Sequence, residues 1–506
     1  MLKFSQLVSN KRLFDKRFIW LSMILLNCCL TPLAYSGSNI PDITDQQLSA
    51  DYWQTKIKKN EGMSMKNQDV ELFNQQLLTS NPHVVDPLAS PENLDKAELL
   101  SKINKISRAP SSARFYKDGT MLTQQHFNKY AENLNFQAIK DQNTIQFGLV
   151  TKRSALRTFP TLDRVFNRAM DFDLDRFQET AVFPAEAVTI LHSSLDGKWF
   201  LVQNYNYLAW MQQSDVAIGS KAQIQEYLAH PDFLLITGDK VLTSFVPELP
   251  EISEVQVDMG VKLPLLNNQE QRSEIYGQSA AGNFQVKLPT RNSDGSLSIK
   301  TALIGRTQDV HIGYLDYTAE NIIAQGFKFL GERYGWGHDY NGRDCTGFVG
   351  EIYKTFGVLM PRNSGQQGKG QYGTNFRFDK NSDSASKLAT IEKLQIGDLI
   401  YIPGHVMMYL GDENGQPRVI HDVKGLAYWT PEGEFYKGVL NAVSVTPLIK
   451  LQLNKTTSYV DKIYNIKRIT LDIAKNFSTN REETVCAQYI NCREPLKITK
   501  LVKIYL

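Results

Sequence analysis

The spacing of apolar residues changes along the chain, and this change limits the fold more than any other feature. Between about residues 148 and 305, apolar residues stand in short runs divided by turn residues. For example, the turn residues Asp196 and Gly197 divide the apolar runs 188–192 and 199–203. Such runs predict short strands joined by tight turns. After about residue 308 the spacing becomes helical and then strand-like. The chain is therefore expected to fold as several modules of different class.

Two strand-rich stretches, about 148–220 and 232–305, predict two small all-β modules in series. The polar stretch from about 37 to 111 predicts helices and loops that wrap the rest. One helical face is expected there at Val70, Phe73, Leu77 and Leu78. From about 308, a helical hairpin and then an antiparallel sheet predict an α+β domain. Its helices follow from two groups of apolar residues, Ile322, Ile323, Phe327 and Leu330, then Phe348, Val349, Ile352, Tyr353 and Phe356.

Length and charge exclude some classes of protein. The chain has 506 residues, and after its N-terminus it contains no run of about 18 or more apolar residues, which excludes an integral membrane protein. The formal net charge is +3, but residues 1–36 carry +4, because five cations there face one carboxylate, so the rest carries −1. A near-neutral chain does not indicate binding to nucleic acid or to an anionic membrane.

Residues 1–36 predict an export signal. A basic stretch precedes a short apolar run, and the small residues Ala34 and Ser36 fit the −3 and −1 positions of a signal peptidase site. Cleavage there would place the mature protein in the periplasm or outside the cell, with no stable membrane insertion. The alternatives are a retained N-terminal anchor and a lipoprotein modified at the Cys28-Cys29 pair.

Three cysteines remain after this cleavage, namely Cys345, Cys486 and Cys492. In an oxidising compartment an odd number suggests one pair and one reactive thiol. Cys486 and Cys492 stand six residues apart, close enough to bridge a small loop, and no nearby ligand pair supports a metal site instead. No cofactor or metal is expected, and Cys345 is the thiol that needs an explanation.

Cys345 stands where a glycine-rich loop meets a predicted helix. Helix N-terminal amides and the helix dipole stabilise a thiolate, so the pKa of this thiol is expected to be lowered, and the same amides can receive an oxyanion. His405 and His421 stand at strand ends, where paired strands can place the rings side by side. These residues fit a cysteine nucleophile, a base and an orienting residue. The alternative is an inert buried cysteine with two ordinary strand-end histidines.

Four motifs resemble those of the NlpC-type papain-like cysteine peptidases. They are Asp344-Cys345-Thr346-Gly347-Phe348, Gly397-Asp398-Leu399-Ile400, Gly404-His405-Val406 and His421. The upstream β-rich modules resemble two bacterial SH3-like domains that precede this peptidase in one architecture, and residues 114–120 resemble its N-terminal stabilising segment. The resemblance implies a multidomain fold, with two small all-β SH3-like barrels and an α+β papain-like peptidase domain.

The same resemblance implies limits for each part of the chain. The expected parts are a signal peptide at 1–36, an N-terminal helical and loop stabilising segment at 37–147, SH3-like domains at 148–231 and 232–307, the peptidase domain at 308–455 and a C-terminal extension at 456–506.

The resemblance also implies a function. It indicates a cell-wall endopeptidase that hydrolyses the bond between γ-D-glutamate and a diamino acid, meso-diaminopimelate, in peptidoglycan stem peptides. The matching positions in the family imply that Cys345 is the nucleophile, His405 the general base and His421 the orienting residue. The positions that line the substrate site in relatives match Tyr334, Trp336, Asp344, Thr346 and Ser364. An Asp carboxylate suits the free amine of an N-terminal L-alanine, and a Tyr hydroxyl suits oxyanion donation.

Two positions depart from the family pattern. His338 stands where a second glycine commonly follows the Trp-Gly pair, so it is expected to narrow the cleft or contact substrate, unless it is an exposed loop residue. Thr346 stands where a serine is usual, and it keeps the hydroxyl.

Two other functions stay open at this point. One is a non-catalytic peptidoglycan-binding protein with a decayed peptidase domain, against which the complete Cys-His-His set argues. The other is a papain-like amidase or acyltransferase on another substrate, which the motifs do not separate because papain-like sites share the acyl-enzyme step. The oligomeric state is also left open.

Overall fold

The computed structural model describes residues 40–57 and 65–471 of the chain. The chain divides into two units, Met1–Pro41 and Asp42–Leu506, and nearly all of the described residues belong to the second. The predicted export signal and the predicted cysteine pair near the C-terminus lie outside the described residues and stay predictions. Within the described ranges, no helix is both long enough and apolar enough to cross a membrane.

Four helices and a short strand pair form the N-terminal segment. These elements are α1 (Ala50–Thr55), α2 (Asn67–Ser80), β1 (Asn93–Asp95), α3 (Lys96–Ile106), α4 (Gln124–Asn133) and β2 (Gln142–Thr144), with β1 antiparallel to β2. The predicted apolar face of α2 is buried at Val70, Phe73 and Leu77, in the same core cluster as the C-terminal domain. Trp53 of α1 packs closely against Gly411 of that domain. Helices α1 and α2 therefore pack against the C-terminal domain, whereas buried residues of α3 and α4 share a cluster with the β-rich modules.

The first β-rich module contains seven strands. They are β3 (Gln146–Val150), β4 (Ser154–Arg157), β5 (Gln178–Val182), β6 (Ala187–Ser193), β7 (Trp199–Gln203), β8 (Leu208–Gln212) and β9 (Val216–Gly219). They form one antiparallel sheet in the order β5-β4-β8-β7-β6-β3-β9, which confirms the predicted hairpin (β6 and β7) and the third strand (β8). Because alternate side chains of a strand face opposite sides, Ala209 and Met211 join one buried cluster and Trp210 another. Both faces of the sheet are therefore covered.

Helix α5 (Lys221–Leu228) leads into the second β-rich module. Its strands are β10 (Phe233–Ile236), β11 (Lys240–Leu242), β12 (Gln256–Asp258), β13 (Lys262–Pro264), β14 (Glu274–Ile275), β15 (Gln278–Ser279), β16 (Asn283–Arg291), β17 (Leu297–Gly305) and β18 (Val310–Ile312). Strand β10 pairs with β13 and β18, and β16 and β17 form a long hairpin. The sequence predicts strands from the apolar runs 233–237, 255–257, 284–288 and 299–304, and these runs overlap β10, β12, β16 and β17.

The C-terminal domain is an α+β structure. Its elements are α6 (Ala319–Phe327), α7 (Cys345–Lys354), α8 (Ser364–Lys369), β19 (Thr374–Arg377), α9 (Ser384–Ile391), β20 (Leu399–Ile402), β21 (His405–Glu413), β22 (Gln416–Trp429), β23 (Phe435–Pro447), β24 (Gln452–Asn454), β25 (Thr457–Ser458), α10 (Tyr459–Lys462) and β26 (Asn465–Arg468). Six strands form an antiparallel sheet in the order β19-β26-β20-β21-β22-β23. Phe348 and Ile352 of α7 share a buried cluster with Val406 and Met408 of β21, so α7 packs against this sheet. The sheet also includes β26, which follows residue 455; the predicted domain limits stay predictions.

The first β-rich module packs beside the loop that precedes α7. The Arg153 guanidinium donates to the carbonyl oxygens of His338 and Gly342, each at 3.0 Å. The Trp336 indole N–H donates to the carbonyl oxygen of Gln178 in β5 at 3.2 Å. The module therefore forms a wall next to the start of α7.

Candidate active site

Cys345 is the first residue of α7, and Asp344 caps that helix. The Asp344 backbone is extended, and its Oδ1 accepts the Gly347 amide at 2.9 Å, which satisfies one of the free N–H groups of the first turn. The helix start brings the Cys345 sulfur to β21, where the Val406 amide donates to it. The predicted position of Cys345 at a loop-to-helix junction is confirmed.

The expected lowering of the thiol pKa is wrong for this site. Burial, followed by the nearby charge of Asp344, raises the pKa of Cys345 to about 12. The Val406 amide acts in the opposite direction but does not outweigh burial. Loss of water around the sulfur disfavours the charged form more than the helix terminus favours it. Cys345 is therefore a neutral thiol that needs a base to remove its proton.

His405 at the start of β21 and His421 in β22 are joined ring to ring. His405 Nε2 lies 2.8 Å from His421 Nδ1, and His421 Nε2 lies 2.8 Å from Thr446 Oγ1 in β23. Burial lowers the pKa of His405 to about 4 and holds the pKa of His421 well below its ordinary value. Both rings are therefore neutral near pH 7. The structure brings together the two histidines that the sequence singles out and adds Thr446 to them.

The Asp344 carboxylate is held by Arg362, a buried residue that the sequence analysis missed. Arg362 Nη2 donates to Asp344 Oδ2 at 2.7 Å, and Arg362 Nη1 donates to Oδ1 at 3.1 Å. The Thr346 hydroxyl donates to Oδ1 at 2.9 Å, and the Gly337 amide donates to Oδ2 at 3.1 Å. Burial alone would raise the pKa of Asp344, but the charge and hydrogen bonds of Arg362, together with His338 and the Gly347 amide, outweigh burial and hold this pKa well below its ordinary range. Both carboxylate oxygens are therefore fully used inside the protein.

His338 is buried, which excludes the alternative of an exposed loop residue. Its backbone is left-handed, with a φ of 65°, and its ring lies between two ion pairs. The ring Nδ1 lies 3.1 Å from Arg362 Nη2, and Nε2 lies 2.9 Å from Glu351 Oε1. Because a guanidinium only donates, Nδ1 accepts and Nε2 donates to Glu351. A side chain at Gly347 would lie within 2.6 Å of this ring, so His338 can stand here only because position 347 is glycine.

Arg343 extends the charged network to the second β-rich module. Its Nε donates to Glu351 Oε2 at 2.5 Å, and its Nη1 donates to Glu332 Oε2 at 2.7 Å. Its Nη2 donates to Asp258 Oδ2 of β12 at 3.1 Å. The side chains of Arg343 and Asp258 are completely buried. Ion pairs therefore connect the start of α7 to the second β-rich module.

The other residues predicted to line the substrate site lie in different places. Burial raises the pKa of Tyr334, and the Cys345 charge is its next largest influence, which puts this ring near the sulfur. Trp336 is half-buried, with the Arg176 guanidinium 5.2 Å from its ring centre. Ser364 begins α8 and is half-buried. The Thr346 hydroxyl points inward, because Arg362 Nη1 donates to it at 2.5 Å.

The wall formed by the first β-rich module carries a carboxylate that the sequence analysis did not single out. Glu179 Oε1 accepts from the Thr158 hydroxyl at 2.6 Å, and its Oε2 accepts from the Tyr207 hydroxyl. The Tyr207 hydroxyl also interacts with the side chain of Asn363, next to Ser364. No sequence signal relates a strand of one module to a helix start of another, so only the fold brings these groups together.

Two further buried groups lie near the sulfur and the histidines. Tyr459 begins α10, with its ring centre 6.4 Å from that of His405. Asp422 follows His421 and is completely buried, and no described residue gives either of its carboxylate oxygens a hydrogen bond. Burial, then the charge of Asp344, raises the pKa of Asp422 well above its ordinary value. Within the described part of the chain, no three His, Cys, Asp or Glu side chains are grouped as metal ligands would be.

Models of two known families match this chain. The NlpC/P60 family model matches residues 331–444, and the model of an SH3 domain of the SH3b1 type matches residues 160–212. The first match spans the α7 region and both histidines. The second match lies in the first β-rich module. Together they confirm a multidomain fold with an SH3-like domain and a papain-like domain.

Individual relatives agree with the family models. A gamma-D-glutamyl-L-lysine dipeptidyl-peptidase from Bacillus cereus is 36% identical over 279 residues, which cover 50% of this chain and 71% of the relative. A protein of the same name from Bacillus subtilis is 33% identical over 103 residues, which cover 19% of this chain and 30% of the relative. The solved structure of an NlpC/P60 endopeptidase from Photobacterium damselae subsp. piscicida has the same fold, with a TM-score of 0.65 and 17% identity. That match covers 82% of this chain and 96% of the solved one.

Proposed function

Because the chain belongs to the NlpC/P60 family of cysteine peptidases, we propose that it hydrolyses the bond between γ-D-glutamate and a diamino acid in peptidoglycan stem peptides. The two Bacillus relatives are named for γ-D-glutamyl-L-lysine, and the sequence motifs imply meso-diaminopimelate, so both are candidate diamino acids. The proposal is carried by the ring-to-ring hydrogen bond of His405 and His421, 2.8 Å long, next to the thiol of Cys345.

In the first step, His405 takes the proton of the Cys345 thiol. His405 Nε2 faces His421, so Nδ1 is the nitrogen left to receive this proton. The sulfur bonds to the γ-carbonyl carbon of D-glutamate, and the carbonyl electron pair moves to the oxygen. The Cys345 amide and the Tyr334 hydroxyl are the proposed donors to that oxyanion.

In the second step, the carbon–nitrogen bond breaks and His405 gives its proton to the leaving amine of the diamino acid. A thioester between Cys345 and the shortened peptide remains. Water then attacks the thioester carbon while His405 takes a proton from it, and the thiolate leaves with that proton as a thiol. The neutral forms of Cys345 and His405 fit this general-base route, because neither group bears charge before substrate binds.

We also propose that Glu179 binds the free amine of an N-terminal L-alanine. Asp344 is the residue that the family resemblance suggests, but its two oxygens already accept from Arg362, Thr346 and two amides. Among the residues that the structure describes, Glu179 receives only hydroxyl donors and lies in no ion pair, so it is left to pair with a substrate ammonium group. Tyr334, Trp336 and Ser364 remain proposed substrate contacts. Asp344 and Thr346 are proposed to shape the site through Arg362.

The site of action follows from the proposed export signal. We propose that cleavage after Ser36 releases the chain into the periplasm or the medium, where its substrate is located. A peptidoglycan peptidase in this compartment would take part in turnover of the wall.

The first experiment is mass spectrometry of L-Ala-γ-D-Glu-meso-diaminopimelate and of the L-lysine analogue, each incubated with the mature chain. The proposal expects release of L-Ala-γ-D-Glu from at least one peptide, and none with Cys345→Ala. The Cys345→Ala protein should remain folded, because the side chain is small and only the bond-making sulfur is lost.

Other outcomes would identify the alternative functions. Release by Cys345→Ala at the wild-type rate would refute the mechanism. No release by a folded protein whose Cys345 reacts with iodoacetamide would indicate an amidase or acyltransferase with another substrate. No release together with an unreactive Cys345 would indicate a non-catalytic peptidoglycan-binding protein.

A further inference from the structure

His421 has two hydrogen-bond partners, and only one of them belongs to the proposed catalytic set. Its Nδ1 faces His405 and its Nε2 faces the Thr446 hydroxyl, both at 2.8 Å. His421 and Thr446 are both buried, at 1% and 0% exposure, so water does not compete for these bonds. A neutral imidazole carries one proton, so one of its nitrogens donates while the other accepts. If Thr446 Oγ1 accepts a hydrogen bond from His421 Nε2, His421 Nδ1 must accept one from His405. If Thr446 Oγ1 donates instead, His421 Nδ1 must donate to His405.

His405 can act as the base in only one of its two neutral tautomers. To receive the thiol proton, Nδ1 must be unprotonated, so the ring proton is on Nε2 and is donated to His421 Nδ1. His421 must then carry its own proton on Nε2, and this N–H needs an acceptor. Thr446 Oγ1 is the atom placed to accept it. With both protons on the opposite nitrogens, His405 Nδ1 is already protonated and Cys345 has no base.

We propose that Thr446 is a positioning residue, whose hydroxyl accepts the Nε2 proton of His421 and thereby keeps His405 in the tautomer that deprotonates Cys345. This proposal depends on the proposed function only for the identity of the substrate. The proton transfer from Cys345 to His405 is the same for any acyl group, so thiol reactivity tests Thr446 without a peptide.

The pairing of β22 with β23 supplies a matched control. Ser444 stands directly opposite His421, and Thr446 stands two residues further along β23, on the same face of the sheet. The Ser444 hydroxyl donates to the carbonyl oxygen of Ala442 at 3.3 Å. Both residues are buried hydroxyls beside the same ring, and only Thr446 bonds to it.

The experiment compares three variants of the full chain with the wild type. Thr446→Val keeps the shape and removes the hydroxyl, Thr446→Ser keeps a hydroxyl, and Ser444→Ala removes the neighbouring one. Each protein is alkylated with iodoacetamide from about pH 5 to pH 9, and the histidine ring nitrogens are observed by ¹⁵N NMR. Thr446→Val should slow alkylation near neutral pH about 10- to 100-fold, because a wrong tautomer removes the base. Thr446→Ser and Ser444→Ala should stay within about threefold of the wild type.

The NMR spectra separate this role from a merely structural one. In the wild type and in Thr446→Ser, His421 should be protonated at Nε2, whereas Thr446→Val should lose this preference. Equal alkylation rates and equal spectra for Thr446→Val and the wild type would overturn the proposal, as would an equally slow Ser444→Ala. If the wild type alkylates normally but cleaves neither peptide, the proposed function fails, and the alkylation series still decides the role of Thr446.

Discussion

The side chains on the two sides of Cys345 are held by different interactions. On the side of the sheet, His405, His421 and Thr446 are joined by hydrogen bonds between neutral groups. On the side of the first β-rich module, Asp344 and Arg362 form a buried ion pair, and His338 links it to the next pair. Neutral imidazoles can pass a proton along, whereas buried ion pairs keep their charges fixed. Proton transfer therefore belongs to the neutral side, and the shape of the helix start depends on the charged side.

This difference predicts how each side responds to mutation. Removing a neutral group from the sheet side leaves no uncompensated charge, so the protein should still fold while catalysis is lost. Removing one ion from the charged side leaves its partner buried and unpaired, which strongly lowers the free energy of unfolding. Changes on the sheet side should appear in rates, and changes on the charged side in stability.

The largest effect is expected for His405→Ala. Loss of the base should lower kcat for the stem peptide about 1,000-fold or more, since the Cys345 thiol then has no proton acceptor. His405 is only half-buried, so the midpoint of thermal unfolding should change little. Peptide release and thermal unfolding are measured on the same preparation. A variant that keeps a tenth of the wild-type rate would show that the neutral side does not carry the proton transfer.

Arg362→Met tests the charged side. The free energy of unfolding should fall by about 3–5 kcal/mol, because Asp344 is left as a buried carboxylate without its cation. The matched control is Arg333→Met, since the Arg333–Asp173 pair is on the surface and 60% of the Arg333 side chain is exposed. Loss of this surface ion pair should lower the free energy of unfolding by about 1 kcal/mol or less. Urea unfolding measures both, and equal losses would contradict the contrast between the two sides.

Asp422→Asn tests a buried carboxyl group on the neutral side. Asp422 is buried without a partner, and burial raises its pKa well above its ordinary value. Folding therefore requires it to hold a proton that the unfolded chain releases, so the wild type loses stability as pH rises from the unfolded pKa toward the folded one. The variant should be more stable by about 1–3 kcal/mol at pH 8. Near pH 4 the two proteins should be nearly equal. Urea unfolding at several pH values measures this, and a constant difference would refute the assignment to titration.

The smallest effect is expected for Glu179→Gln, at the edge of the charged side. If Glu179 binds the free amine of L-alanine, KM for the free peptide should rise about tenfold, because one charge-assisted hydrogen bond is lost. An N-acetylated peptide lacks the ammonium group, so its cleavage should not respond to this substitution. Steady-state kinetics with both peptides gives the comparison. An equal rise in KM for both peptides would mean that Glu179 stabilises the first β-rich module and does not bind the amine.

The sequence predicted one side of the site far better than the other. Cys345 begins α7 and His405 begins β21, as predicted, whereas His421 lies inside the long strand β22 and the prediction of a strand end was wrong for it. Strand pairing alone brings the two histidines together. Arg362 and Glu179 belong to no motif. Arg362 reaches Thr180 of the first β-rich module, and Glu179 meets the hydroxyls of Thr158 and Tyr207, which lie beside other strands of its own module. The sequence left open whether His338 narrows the cleft, contacts substrate or is exposed, because a left-handed backbone and burial between ions have no local signal. The thiol pKa was misjudged because burial, which opposes the helix terminus, depends on the whole fold.

The sequence by itself determined the class of each module, the helix that begins at Cys345 and the strands that carry the two histidines, since these follow from apolar spacing and local motifs. Only the tertiary structure decided which groups are neutral and which are paired. Protonation depends on burial and on partners that lie far apart in sequence, as Thr446 does from His421 and Arg362 from Thr180. Charge and desolvation are properties of an environment that forms only when the modules pack.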